Sequence, residues 1–254
     1  MKKSVYRPLI TVVLFIIMAL FFSGCATQVS LATRSIAGTN HFQDGKTIGK
    51  NKSNLGFALG NGQHIRSVIT KNCVDSIYYF ENTSHSSIFM LTASTQNGVT
   101  DNFDVLLETN ISLASIAGKV GFKYALTNPG ERFSLAFMPY IGYAVGFTNS
   151  DQIADMSQYC NFDVYSHNTI LEMNFPMSYY LSKDFSILCG LGLTKNFYNS
   201  SASDDASFSN QFFIPSVTLG LRMIKAYHQV RFSKLDDHFE AYYGMMLKFN
   251  LTKK

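Results

Sequence analysis

The sequence predicts an all-β chain, folded as an antiparallel up-and-down transmembrane β-barrel. Three observations carry this: a period-two alternation of large apolar and small side chains, a rhythm of short and long connections, and an N-terminal export segment. The alternation runs from about residue 103 to the C-terminus. Between Phe133 and Phe147 the odd positions are Phe133, Leu135, Phe137, Pro139, Ile141, Tyr143, Val145 and Phe147. The even positions are Ser134, Ala136, Met138, Tyr140, Gly142, Ala144 and Gly146. Successive side chains of a strand point to opposite faces. A soluble sheet buries its bulky face and carries charge on the other. Here the second face is mostly glycine, alanine and serine, which suits a barrel wall with lipid outside and a cramped lumen inside.

Composition agrees with that class. The chain has 254 residues, enough for one large or two small domains. Hydrophobic residues make up 46%, yet they are interleaved with polar ones. Charged residues are 15%, against about 25% in an ordinary soluble domain. A net charge of +4 with no dense basic stripe excludes a nucleic-acid surface.

The N-terminus reads as a targeting segment. Lys2, Lys3 and Arg7 precede a 14-residue apolar run from Leu9 to Phe22. That is short for a membrane span and suits a signal peptide. It ends in Phe22-Ser23-Gly24-Cys25, which resembles a bacterial lipobox. Residues 1–25 are therefore expected to be a signal peptide, with Cys25 the lipidated first residue of the mature chain. Cleavage after Ala26 is the alternative, and both imply export. Residues 26–52 are polar and read as a periplasmic leader.

The barrel is expected to occupy residues 53–251. Ser53 to Gly60 sets Leu55, Phe57 and Leu59 against Gly56, Ala58 and Gly60. Phe103 to Thr127 forms a second strand, whose parity flips near Ala114 and Ser115 through a bulge or a tight hairpin. Arg132 to Thr148, Ser166 to Leu181, Phe185 to Tyr198, Asn210 to Met223, Ala226 to Ser233 and His238 to Leu251 complete eight strands. Asn128-Pro129-Gly130-Glu131, Ser182-Lys183-Asp184 and the link at Ile224 and Lys225 are short. Residues 149–165 and 199–209 are long polar loops. Short periplasmic turns with longer external loops characterise bacterial barrels. The segment 61–101 holds Ile77-Tyr78-Tyr79-Phe80 and Ile88-Phe89-Met90-Leu91, which could add a hairpin and bring the count to ten.

The inward parity collects charges of both signs. Asp104, Glu108, Glu172 and Glu240 should point into the lumen with Lys119, Lys123, Arg222, Arg231 and Lys248. An eight-stranded barrel is just wide enough for side chains to fill. Paired charges closing the lumen are the expectation, and a polar pathway for a small solute is the alternative. Inward carboxylates follow from the architecture, so they are no sign of acid–base catalysis.

Cys73 and Cys160 fall in external loops of an oxidising compartment and could form a disulfide. Cys189 lies on the lipid face as a small hydrophobe. No spacing suggests a metal site, and no cofactor is expected. The loop acids Asp151, Asp155, Asp204 and Asp205 read as solvated. A soluble, lipocalin-like lipoprotein with its apolar face inward is the competing architecture.

Met138-Pro139-Tyr140-Ile141-Gly142-Tyr143-Ala144-Val145-Gly146 and Phe175-Pro176-Met177-Ser178-Tyr179-Tyr180-Leu181-Ser182-Lys183-Asp184-Phe185-Ser186-Ile187 carry a resemblance. They are similar to the small outer-membrane β-barrel superfamily of OmpA-type membrane domains, OmpX, OmpW and opacity-like proteins. Cys189-Gly190-Leu191-Gly192 continues the likeness. The resemblance implies a non-enzymatic structural, adhesin-like or narrow-channel role in the outer membrane. It implies outer-membrane lipid as a partner, and host or envelope components through the external loops. His85-Ser86-Ser87 invites comparison with outer-membrane lipid A deacylases, but it falls in the first loop region with Ile88 after it.

Overall fold

The computed structural model describes residues 28–39, 41–72, 77–128, 130–149, 164–202, 206–235 and 238–251. Among them are eleven strands: β1 (Gln28–Gly38), β2 (Ser53–Asn72), β3 (Tyr78–Gly98), β4 (Phe103–Ser112), β5 (Ser115–Ala125), β6 (Phe133–Asn149), β7 (Val164–Tyr180), β8 (Phe185–Ala202), β9 (Ser207–Met223), β10 (Ala226–Leu235) and β11 (His238–Leu251). β2 to β11 pair antiparallel in chain order. The ring closes where β11 meets β2, from Gly244 against Gly60 to Leu251 against Ser53. The barrel therefore has ten strands, the alternative count, and the eight-strand expectation is corrected.

Two local readings account for the difference. The parity flip at Ala114 and Ser115 is a tight hairpin between β4 and β5, with Ile111 opposite Ile116. Nothing in Leu113-Ala114 has the chemistry that usually announces a turn. The segment 61–101 is not a loop either. β2 continues to Asn72, and β3 carries Tyr78-Tyr79-Phe80 and Ile88-Phe89-Met90-Leu91 on one 21-residue strand.

The wall has the predicted polarity. Leu171, Met173, Phe175 and Tyr179 face outward on β7, as do Val217, Leu219 and Leu221 on β9 and Tyr243, Met245, Leu247 and Phe249 on β11. On β7 the apolar outward set runs from Leu171 to Tyr179 and gives way to Thr169 and His167. That is close to the roughly 9–11 residues a tilted strand needs to cross hydrocarbon. The inward positions are buried and mostly small or polar. This is the reverse of the lipocalin-like alternative, which needs its large apolar residues inside.

β1 is the element that the sequence did not announce. Of residues 26–52, read as a periplasmic leader, 28–39 and 41–48 instead lie in the barrel interior, and 49–52 turn at its mouth. β1 pairs with the upper half of β2, from Gln28 against Asn72 to Gly38 against Gln63. Its other edge pairs with the end of β6, Ala32 to Arg34 against Asn149 to Phe147. Both of its faces are covered. Ile36 packs with Met90, Ala117, Ala144 and Ile170, while Ala37 packs with Ile65, Tyr198, Phe212 and Ile214. From Gly38 the chain descends through the lumen, with His41, Phe42, Gln43 and Asp44 buried. It turns at Gly49 (φ 87°) and Asn51 (φ 60°) and enters β2 from the opposite mouth.

The small inward face of β6 now has a cause. A Cβ on Gly146 would overlap the Arg34 carbonyl of β1, and one on Gly45 would overlap the Ser134 carbonyl of β6. The wall is small because a second layer of backbone lies against it.

This yields a paired prediction. Gly146→Val should destabilise the barrel by about 1–3 kcal/mol through overpacking against β1. Gly118→Ala, whose Cβ meets nothing within 4 Å, should change stability by less than about 0.5 kcal/mol. Urea unfolding in lipid vesicles measures both.

Candidate functional site: the plugged lumen

Nine lumen charges were read from inward parity, and the structure gathers most of them around the interior segment in two layers. The middle layer holds Glu108 of β4, Lys119 of β5, Glu172 of β7 and Arg231 of β10. Lys119 Nζ lies 3.1 Å from Glu172 Oε1 and 3.6 Å from Glu108 Oε1. His41 stands between the same two carboxylates, with Nε2 2.7 Å from Glu172 and Nδ1 3.6 Å from Glu108. Its ring stacks on Tyr140, centroids 5.2 Å apart. Thr39 completes the layer. Its hydroxyl accepts from Lys119 at 2.6 Å and lies 3.2 Å from Glu108 Oε1. Arg231 donates to the Thr39 carbonyl, and to Thr194 Oγ1 at 3.1 Å.

The lower layer holds Asp104 of β4, Lys123 of β5, Arg222 of β9 and Lys248 of β11. Asp44 of the interior segment lies 3.7 Å from Lys123 and 3.4 Å from Arg222, and accepts from the Tyr227 hydroxyl at 3.3 Å. Gln43 Oε1 accepts from Lys248 at 3.0 Å and Lys123 at 3.3 Å. Asp104 accepts from Gln96 at 2.6 Å and from the Ile48 backbone N–H at 3.1 Å. Between the layers Phe42 packs with Ala58, Leu188, Tyr227 and Met246.

These contacts answer an accounting problem. Past Arg34 the segment has lost β6 on one edge, below Gly38 it has left β2 as well, and its buried backbone groups still need hydrogen bonds. Asn168 Nδ2 donates to the Ile36 carbonyl at 2.9 Å, and Asn196 Nδ2 to the Ala37 carbonyl at 3.2 Å. Ser178 Oγ accepts from the Gly45 N–H at 2.9 Å. The wall side chains take over the work of the missing ladder.

Glu240 stands apart from both layers. It lies on β11 near the other rim, where it accepts from the Tyr242 hydroxyl. Cys189 is a free, half-buried thiol on the outward parity. Cys25, Cys73, Cys160, Asp151, Asp155, Asp204 and Asp205 lie outside the described residues. His85 and Ser86 fall on β3, and their side chains also lie outside them. Thr39, His41, Gln43 and Asp44 were missed by sequence reading because they sit in the segment read as a leader. Asn168 and Asn196 carried a visible signal, since each is a polar residue of inward parity.

The arrangement closes the lumen. Glu108 and Glu172 are both engaged by Lys119 and His41, and neither is presented to an open cleft. Among the described residues, no group of His, Cys, Asp or Glu could hold a metal ion. Below the lower layer a cavity of about 430 Å³ opens at the Ser53 end, with Lys46, Lys183, Arg222, Lys225 and Lys248 among its lining residues.

No family model matches the sequence, and no curated protein matches it. Solved structures do match in outline. The outer membrane protease OmpT from Escherichia coli is 8% identical at a TM-score of 0.43, covering 89% of this chain and 98% of its own. The NanC porin is 14% identical at 0.36, covering 89% and 100%. Ail, the attachment invasion locus protein of Yersinia pestis, is 10% identical at 0.29, covering 79% and 99%.

Removing one member of a buried ionic group leaves its partners uncompensated, at about 3–5 kcal/mol. Glu172→Gln should lose stability on that scale. Adding His41→Gln should cost less than the sum of the two single changes, by about 0.5–3 kcal/mol. A double-mutant cycle in vesicles measures the coupling. Strict additivity would mean that His41 and Glu172 do not depend on each other.

Proposed function

We propose that this chain is a non-enzymatic outer-membrane β-barrel protein, closed by its own N-terminal segment and acting as a structural or adhesin-like scaffold for its external loops. The observation that carries this reading is the seating of His41 and Asp44 among Glu108, Lys119, Glu172, Lys123 and Arg222, which blocks the lumen at two levels. Membrane insertion is supported by the outward apolar set, which would be anomalous in water. Outer-membrane lipid is then the obligatory partner, and host or envelope components are the partners suited to the external loops.

A narrow channel is the second reading. It is favoured by how the segment is held, since ionic and hydrogen-bonded contacts dominate below Gly38. Such contacts can be exchanged for water if the segment withdraws.

Planar-bilayer recording separates the two. The wild-type protein should be silent, and deletion of residues 28–48 should produce steady conductance. If that deletion prevents folding, His41→Ala with Phe42→Ala and Asp44→Ala tests the same point in a full-length chain. Steady conductance from the wild type would overturn the closed reading. Membrane placement has its own test. Leu219→Lys should cost about 2–4 kcal/mol in vesicles if Leu219 faces hydrocarbon near the bilayer midplane.

A further inference from the structure

The direction of β1 says at which mouth the described N-terminal end lies. Gln28 pairs with Asn72, the last residue of β2, while Ser53, the first residue of β2, pairs with Leu251. The described N-terminal end and the C-terminal end therefore lie at opposite mouths. The 20 residues of β2 span about 66 Å at ~3.3 Å each, or about 50 Å along the axis at a tilt near 40°. That exceeds the roughly 30 Å of a hydrocarbon core. Gln28 and Ser53 cannot share a side of the membrane.

Connection lengths say which side is which. The links at the Ser53 end are 99–102, 126–132, 181–184 and 224–225. Those at the Gln28 end are 73–77, 113–114, 150–163, 203–206 and 236–237, so the expected loop 199–209 shrinks to four residues and the link 150–163 alone sets this mouth apart by length. β7 adds a second sign, since it runs on past its apolar outward set, Leu171 to Tyr179, to Val164 at this end, as a wall that projects beyond the hydrocarbon does. Short links face the periplasm and long ones face out. The N-terminal end is also held at the long-loop mouth. Ser30 Oγ lies 2.7 Å from Thr70 Oγ1, and Leu31 packs against the cluster of Ile69, Val164 and Ala202. The lumen below is filled by residues 28–48, so it offers no second passage back.

We infer that the mature N-terminus is displayed at the cell surface, having traversed the barrel that the same chain builds. This rests on the outer-membrane reading above and deepens it. It also relocates the expected lipid. Two residues, Ala26 and Thr27, lie between Cys25 and Gln28, so the reach from one to the other is about 11 Å. Acyl chains on Cys25 could then not reach the inner leaflet, where a periplasmic anchor belongs.

Three epitope-tagged chains test this in intact cells. One tag follows Ala26, which leaves Cys25 and its neighbours in place. A second lies between Asp204 and Asp205, and a third follows Lys254. Antibody should bind the first two on intact cells and the third only after permeabilisation. If the Ala26 tag stays hidden while the Asp204 tag is exposed, the inference is overturned and the outer-membrane reading stands. If only the Lys254 tag is exposed, the barrel is inverted, so the inference fails while outer-membrane placement stands; if none is exposed, both fail. Should the Ala26 insertion block folding, Ser30→Cys in a chain with Cys73, Cys160 and Cys189 changed to serine replaces it. Labelling of intact cells by an impermeant maleimide then supports the inference, and labelling only after permeabilisation defeats it.

Discussion

A ring of ten strands has a lumen wider than its own side chains fill, and most of this structure follows from that constraint. Eight strands leave an interior about as wide as facing side chains. Two more open a bore, and here the bore receives one extended segment of the same chain. The small residues of the inner wall make room for it. The asparagines and serines there serve its backbone, and the acids and bases anchor its side chains. Neither layer is complete without the interior segment. Lys119, Glu108 and Glu172 come from the wall, but His41 and Thr39 join them into one group.

The proposals of a closed scaffold and of a surface-displayed N-terminus both rest on that segment. It blocks the path a solute would take, and it carries the start of the chain across the membrane. Strength is distributed unevenly along it. The upper part is held as a strand, with backbone bonds on both edges and apolar packing on both faces. The lower part is held by charges, amides and Phe42. A withdrawal that opened the lumen would therefore release the lower part first.

The wall was legible in the sequence because it repeats. Leu171 to Tyr179 alternates throughout, Tyr243 to Phe249 departs only at the inward Met246, and the inward charges appear where parity places them. The hairpin at Leu113-Ala114 was ambiguous because those residues lack turn chemistry, and only the flip of parity marked it. The interior segment was hidden for a different reason. A strip of Thr, Ser, Gln, His and Asp looks alike whether water or a polar lumen surrounds it. The clue lay elsewhere, in the run of Ser134, Ala136, Gly142, Ala144 and Gly146. A wall that small is built to be lined, and the sequence alone does not say by what.

The seam between β2 and β11 joins the first and last strands of the ring, and this imposes an order of events. Residues 28–52 leave the lumen at both mouths, so a ring closed without them would have to be threaded afterwards. Laying the segment against a still-open sheet and then zipping the seam avoids threading. Closure is thus also encapsulation. A chain that has finished its ring has, by construction, already enclosed the segment that fills it.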